Sequence, residues 1–189
     1  MKIETWKRIE SETVAECRVF NVRRDRSRNS VTEKEADFFV IENPDWVNVI
    51  PVTSDNEIVL IRQFRHGTES VTLEIPGGMV DEGEVPESCA RRELLEETGY
   101  SAGKIVYLGK SHPNPAIQQN LIHHFAAFEC ERVAEPDPDE HESIETHIVA
   151  PDRIEGLISG EEISHSLVIA GFQRFQALID SKTGNRYES

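Results

Sequence analysis

The stretch "GGMVDEGEVPESCARRELLEETGY", residues 77–100, constrains the chain more than any other. The stretch reads as a helix from about Pro86 to Thr98 that ends before Gly99. At about 100° per residue, Glu97 lies about 40° to one side of Glu93 and Glu96 about 60° to the other. The three carboxylates therefore share one arc, while Ala90 and Leu94 point away from its centre toward a core face. Such a helix breaks local rules. Like charges four apart repel by about 0.2–0.5 kcal/mol, and acids at the negative end of a helix dipole cost about 0.3–1 kcal/mol. Gly77, Gly78 and Gly83 precede it and let backbone come close to whatever sits there.

Two readings compete for this arc. One is a solvated acidic face that tolerates the repulsion. The other is a divalent-metal platform, because Mg²⁺ is hard, takes oxygen ligands, and commonly joins one or two carboxylates to a substrate's phosphates. Stacked violations of local preference in one place favour a site. Charge narrows the partners. With 20 Lys and Arg against 35 Asp and Glu, the formal net charge is −15, which argues against nucleic acid and anionic membranes as partners. Cys17, Cys89 and Cys130 lack CxxC spacing and read as reduced structural thiols. No apolar run approaches a membrane span, and "MKIETWKRIE" lacks a signal-peptide layout, so the cytoplasm is expected.

Strand and helix signals alternate along the chain. Residues 3–23 carry two short strand-like stretches, "RSRNSVTEKEA" reads as a polar turn, and "DFFVIE", "WVNVIPV", "EIVLIRQF" and "VTLEIP" read as strands. Strands are expected near 104–109, 121–129 and 144–150, with the acidic "ECERVAEPDPDEHESIE" as a loop. Two helices should close the fold: "PDRIEGLIS", and one from Ser166 whose Val168, Phe172, Phe175 and Ile179 form a core stripe.

Gly78, five residues, Glu84, seven residues, then Arg92-Glu93-Leu94-Leu95-Glu96-Glu97-Thr98-Gly99-Tyr100 match the Nudix box, G-x5-E-x7-R-E-U-x-E-E-x-G-U, at every defined position. The chain therefore resembles the Nudix hydrolases. The resemblance implies an α+β Nudix fold, a mixed β-sheet sandwiched between α-helices, here with an N-terminal antiparallel β-sheet extension. It implies N-terminal strands over 1–44, a hydrolase domain over 45–182 and a flexible tail over 183–189. By the same resemblance Glu93, Glu96 and Glu97 with the Gly77 carbonyl hold Mg²⁺, replaceable by Mn²⁺, and Arg92 and Glu84 orient them.

"DWVNVIPV", "IVLIRQFRHG", "VTLEIPGG" and Pro115, sixteen residues after Gly99, resemble the ADP-ribose pyrophosphatase branch. This implies hydrolysis of a nucleoside diphosphate sugar, ADP-ribose or a related ADP- or GDP-sugar, by a homodimer. Arg62 and Arg65 resemble substrate-side arginines, and Glu74 stands where an additional ligand is often found; each could equally be a strand-edge charge. The branch's acid about five residues beyond the proline is replaced by Asn120, which cannot act as a base. Glu140, Glu142 or Glu145, with Glu142 favoured, would supply it from the acidic loop. Asn114, Gln118, Gln119 and Asn120 could bond sugar hydroxyls or a base edge. Trp46 could stack on a nucleobase or belong to the core or a dimer interface. Of His123 and His124, alternating on one strand, at most one should face the site. The alternatives are a hydrolase of dinucleoside polyphosphates or damaged nucleoside triphosphates, and a non-catalytic nucleotide-binding module.

Overall fold

The computed structural model describes residues 3–138 and 141–183. It falls into two compact units, Met1–Asp45 with His112–Leu121, and Trp46–Ser111 with Ile122–Ser189.

The first unit is an antiparallel sheet in the order β1-β2-β3, formed by β1 (Trp6–Glu16), β2 (Asn21–Asn29) and β3 (Glu35–Glu42). The stretch expected as a polar turn is partly strand, since β2 runs to Asn29. The reason lies across the sheet: Arg24 pairs with Glu12, and Arg26 and Arg28 pair with Glu35, so charged neighbours hold a strand that lacks apolar alternation. Trp6 and Phe38 meet edge to face at 5.1 Å, and Trp6, Ile9, Val14, Phe38 and Phe39 are all exposed. Residues 112–121 join this unit where the Ile41 N–H donates to the Ile117 carbonyl at 2.7 Å.

The second unit is built on a six-stranded mixed sheet. Its path is β6 (Ser70–Glu74), β5 (Ile58–Arg65), β4 (Trp46–Thr53), β8 (Ile122–Arg132), β7 (Tyr100–Ser111), and β9 (Ile144–Val149) also pairs with β5. β4 and β8 run parallel, and the other pairs are antiparallel. Both faces are covered. Val47, Val49 and Val59 turn to one side against Cys89, Ala90 and Leu94 of α1 (Pro86–Thr98). Ile50, Ile58 and Leu60 turn to the other, against α2 (Ile154–Ser159) and against Val168 and Phe172 of α3 (Ser166–Thr183). Period-two alternation on strands apolar on both faces explains why β4 and β5 read as near-continuous hydrophobic runs. Phe175 packs against this second cluster as the stripe predicted.

β7 is longer than its sequence signal, starting at Tyr100, because the Gly99 N–H returns to the Leu95 carbonyl at 2.8 Å and the chain turns from α1 straight into the strand. Residues 184–189 of the expected tail lie outside the described residues, as does Glu140. Among the described residues no helix is long and apolar enough to cross a membrane.

Candidate active site

α1 buries Ala90 and Leu94 in the core with Glu97 beside them, while Glu93 and Glu96 lie further round the helix and are half-buried. The segment before it lies along β4: the Val49 N–H donates to the Pro76 carbonyl and the Val47 N–H to the Gly78 carbonyl, both at 2.9 Å. Gly77 faces the other way, and its N–H donates to Glu97 Oε2 at 2.9 Å. Space explains the two glycines. A Cβ on Gly77 would strike the Val47 carbonyl and Asn48 backbone, and one on Gly78 would strike the Glu93 carboxylate.

Arg92 organises the acids. Its Nε and Nη2 donate to the two oxygens of Glu84 at 3.1 and 3.0 Å, and its Nη1 donates to Glu93 at 2.8 Å and Glu96 at 2.9 Å. Glu84 is thereby held below the usual carboxylate range. Glu93 is pushed up to about 7, by burial first; Arg92 opposes the shift, and the charges of Glu96 and Glu142 add to it. Glu97, only 3% exposed, is raised well above its ordinary value by burial. The Gly77 N–H and Arg65 act against that shift, and Glu93 and Glu142 with it.

Desolvated like charges with one guanidinium among them form an oxygen-only donor set that suits a hard divalent cation. Among the described residues no three such side chains are gathered at ion-holding spacing. Arg92 holds Glu93 and Glu96 in its fork, and Glu97 lies on the Gly77 N–H. A cation would share these carboxylates with Arg92.

A second cluster stands on β5 and β6. Arg65 grips Glu74 with Nε to Oε1 at 2.8 Å and Nη2 to Oε2 at 2.9 Å. Thr72 Oγ1 adds a donor to Oε1 at 2.6 Å, and His165 Nδ1 lies 2.8 Å from Oε2. Burial would push Glu74 up, but Arg65, His165 and Thr72 outweigh it and hold its carboxyl well below the usual carboxylate range. Four donors occupy the roughly four lone-pair sites of a carboxylate, so Glu74 in this arrangement serves Arg65 rather than a ligand. Arg65 in turn feels the charges of Glu97 and Glu142. Gln63, buried on β5, donates from Nε2 to Glu142 Oε1 at 3.2 Å. Glu142 lies just before β9, whose pairing sets Gln63 opposite Ile144 and so brings Glu142 within reach.

A family model for the NUDIX domain matches residues 43–170. The chain belongs to the Nudix family. It is 32% identical over 138 residues to an ADP-ribose pyrophosphatase of Bacillus subtilis, covering 72% of this chain and 75% of that one. It is 33% identical over 106 residues to the ADP compounds hydrolase NudE of Escherichia coli, 56% of each chain. A crystal structure of an ADP compounds hydrolase superposes with a TM-score of 0.85 over 96% of this chain and 98% of that one; at 22% identity this is a likeness of Nudix fold.

The remaining expected residues of this Nudix chain are dispersed. Arg62 is exposed on β5, opposite Leu73 and Glu145. Glu145 lies 3.2 Å from His147. Trp46 is half-buried at the start of β4, bridged to Met79 within the box. Asn114, Gln118 and Asn120 belong to the first unit. The Asn114 carbonyl accepts from the Ile117 and Gln118 N–H groups in a turn. Asn120 is fully buried, and neither of its amide atoms has a hydrogen-bond partner among the described residues.

His124 is the buried member of its pair. It sits 2.8 Å from both Ser111 and Asn48, and Asn48 donates to the Leu167 carbonyl at 3.0 Å, so it ties β7, β8 and β4 to the start of α3. Sequence reasoning missed Gln63, Thr72 and His165. Thr72 and Gln63 left only the alternation of their strands as a signal, and His165 left none.

Proposed function

We propose that this Nudix protein hydrolyses the diphosphate linkage of a nucleoside diphosphate sugar, ADP-ribose or a related ADP- or GDP-sugar. Water attacks one phosphorus, the bridging P–O bond breaks, and a nucleoside monophosphate and a sugar phosphate leave. The observation that carries this reading is half-buried Glu93 and buried Glu97 together beside the Gly77 backbone, with Arg65 close enough to feel Glu97. Such a site offers carboxylates for a cation and a guanidinium for phosphate oxygens, the two charges a diphosphate needs met.

Glu93, Glu96, Glu97 and the Gly77 carbonyl would hold Mg²⁺, replaceable by Mn²⁺, while Arg92 and Glu84 keep the carboxylates aimed. Bound there, the ion would offset phosphate charge and make water more acidic. Arg65, and Arg62 beyond it, would contact the diphosphate. Glu142, anchored by Gln63 and acting electrostatically on Glu93 and Glu97, would take the proton from the attacking water. Trp46, Asn114, Gln118 and Asn120 would serve the base and sugar.

The reading includes a cytoplasmic homodimer with neither nucleic acid nor membrane as partner. The exposed Trp6, Ile9, Val14, Phe38 and Phe39 of the N-terminal sheet support a second copy covering that sheet, and the charge of −15 supports the exclusions. The test is a panel of ADP-ribose, ADP-glucose, GDP-mannose and UDP-glucose with Mg²⁺, read by appearance of the nucleoside monophosphate. If all four stay intact, the proposal fails.

A further inference from the structure

The geometry points to His165 as the positioning residue that sets diphosphate affinity, acting through Glu74 to hold Arg65 in one orientation. This rests on the diphosphate reading proposed above and adds to it a residue on α3's threshold, far in sequence from the box and from β5. The chain of contacts is continuous: His165 Nδ1 to Glu74 Oε2 at 2.8 Å, then Glu74 to Arg65 at 2.8 and 2.9 Å. An ionised carboxylate only accepts, so Nδ1 carries the proton and donates.

His165 is itself fixed by the start of α3. Its carbonyl accepts from the Val168 and Ile169 N–H groups at 3.0 and 3.1 Å, and Val168 is buried in the core. The imidazole is thus mounted on packed structure rather than on a free loop. Glu74 is 2% exposed, so it cannot exchange a lost donor for bulk water without moving. A guanidinium has five N–H donors, and the grip on Glu74 engages one edge, Nε and Nη2, and leaves the Nη1 edge for an anion. Arg65 feels the charges of Glu97 and Glu142, so that anion site adjoins the box carboxylates. Losing the His165 donor frees Glu74 to rotate, and Arg65 rotates with it, because a bidentate pair moves as a unit.

The experiment measures binding of α,β-methylene ADP-ribose, which cannot be cleaved at the bridge, by calorimetry with Mg²⁺. Four proteins are compared with the wild type: His165→Ala, His165→Asn, Arg65→Ala, and His165→Ala combined with Arg65→Ala, each with its thermal midpoint recorded. His165→Ala should weaken binding about tenfold, a typical loss for an outer-layer hydrogen-bond partner. His165→Asn, whose side-chain N–H can replace Nδ1, should recover most of it. In the Arg65→Ala background His165→Ala should add less than twofold. No loss in His165→Ala, an equal loss in Asn, or a full loss persisting without Arg65 overturns the inference. Binding by wild type without turnover of any of the four panel substrates would sink the hydrolase reading and leave this one standing. Absence of wild-type binding would overturn this inference, whereas the hydrolase reading falls only if the whole panel stays intact.

Discussion

The Gly77 N–H donates to Glu97 Oε2 at 2.9 Å, joining the loop before the helix to its last turn across 20 residues of chain. Among the described residues it is the one backbone donor to a carboxylate that burial and two neighbouring acids all drive toward its neutral form. Glu97→Gln keeps an oxygen for that N–H and removes the charge. Turnover of whichever panel substrate is cleaved should fall at least about a hundredfold. Because the folded-state pKa of Glu97 is raised, its charge favours unfolding, and the penalty grows as pH rises above the unfolded value. Glu97→Gln should therefore raise the metal-free thermal midpoint at pH 8 and change it little at pH 4. A fall at pH 8 would contradict this account.

Arg92 engages Glu84, Glu93 and Glu96 at once. Lysine retains the charge but loses the fork. Arg92→Lys should lower kcat by about 10- to 100-fold and raise the Mg²⁺ concentration needed for half-maximal rate. An unchanged metal dependence would mean that Arg92 does not orient the metal-binding acids.

Adjacent glycines should fail differently. A methyl on Gly78 meets the Glu93 carboxylate first, whereas a methyl on Gly77 meets the backbone of β4 first. Gly78→Ala should keep the fold and lose activity as Glu93 is displaced. Gly77→Ala should cost about 1–3 kcal/mol of stability by overpacking against rigid chain. Denaturant titration and the panel assay on both variants separate the two outcomes.

His124 supplies a pH prediction. Burial first, then the charges of Arg174 and His123, lower its pKa to about 4 from an ordinary 6.5. The unfolded chain therefore binds a proton that the folded chain refuses between those values, and stability contributed by neutral His124 is lost as pH falls from about 6.5 to about 4. At about 1.4 kcal/mol per pKa unit the loss is on the order of 3 kcal/mol. His124→Gln should lower stability at pH 7, since Ser111 and Asn48 lose their present partner, and should flatten the acid-side slope. A slope unchanged from wild type would assign the acid sensitivity elsewhere.

How far the molecule was legible differs by element. Helix α1 and the arc of Glu93, Glu96 and Glu97 follow from a periodicity of 3.6 residues, and β4 and β5 from runs apolar on both faces; each is a property of consecutive residues. The length of β2 was not legible, because its arginines are satisfied by Glu12 and Glu35 on other strands. Glu74 illustrates the same limit. In the chain it is one acid at the end of a strand, open to a ligand's role, and only the fold brings Arg65, Thr72 and His165 to saturate it.

The residues alone were enough for the reaction class through their resemblance to the Nudix box, a local pattern; its spacing by itself spoke only for a metal platform, by placing three acids on one arc of one helix. Tertiary structure decided the supporting cast. His165 reaches Glu74 across 91 positions and Gln63 reaches Glu142 across 79, pairings made by the docking of α3 and by the register of β9 on β5. No local periodicity encodes which strand or helix will be the neighbour. That choice comes from burying both faces of the sheet at once, and it is a property of the whole chain.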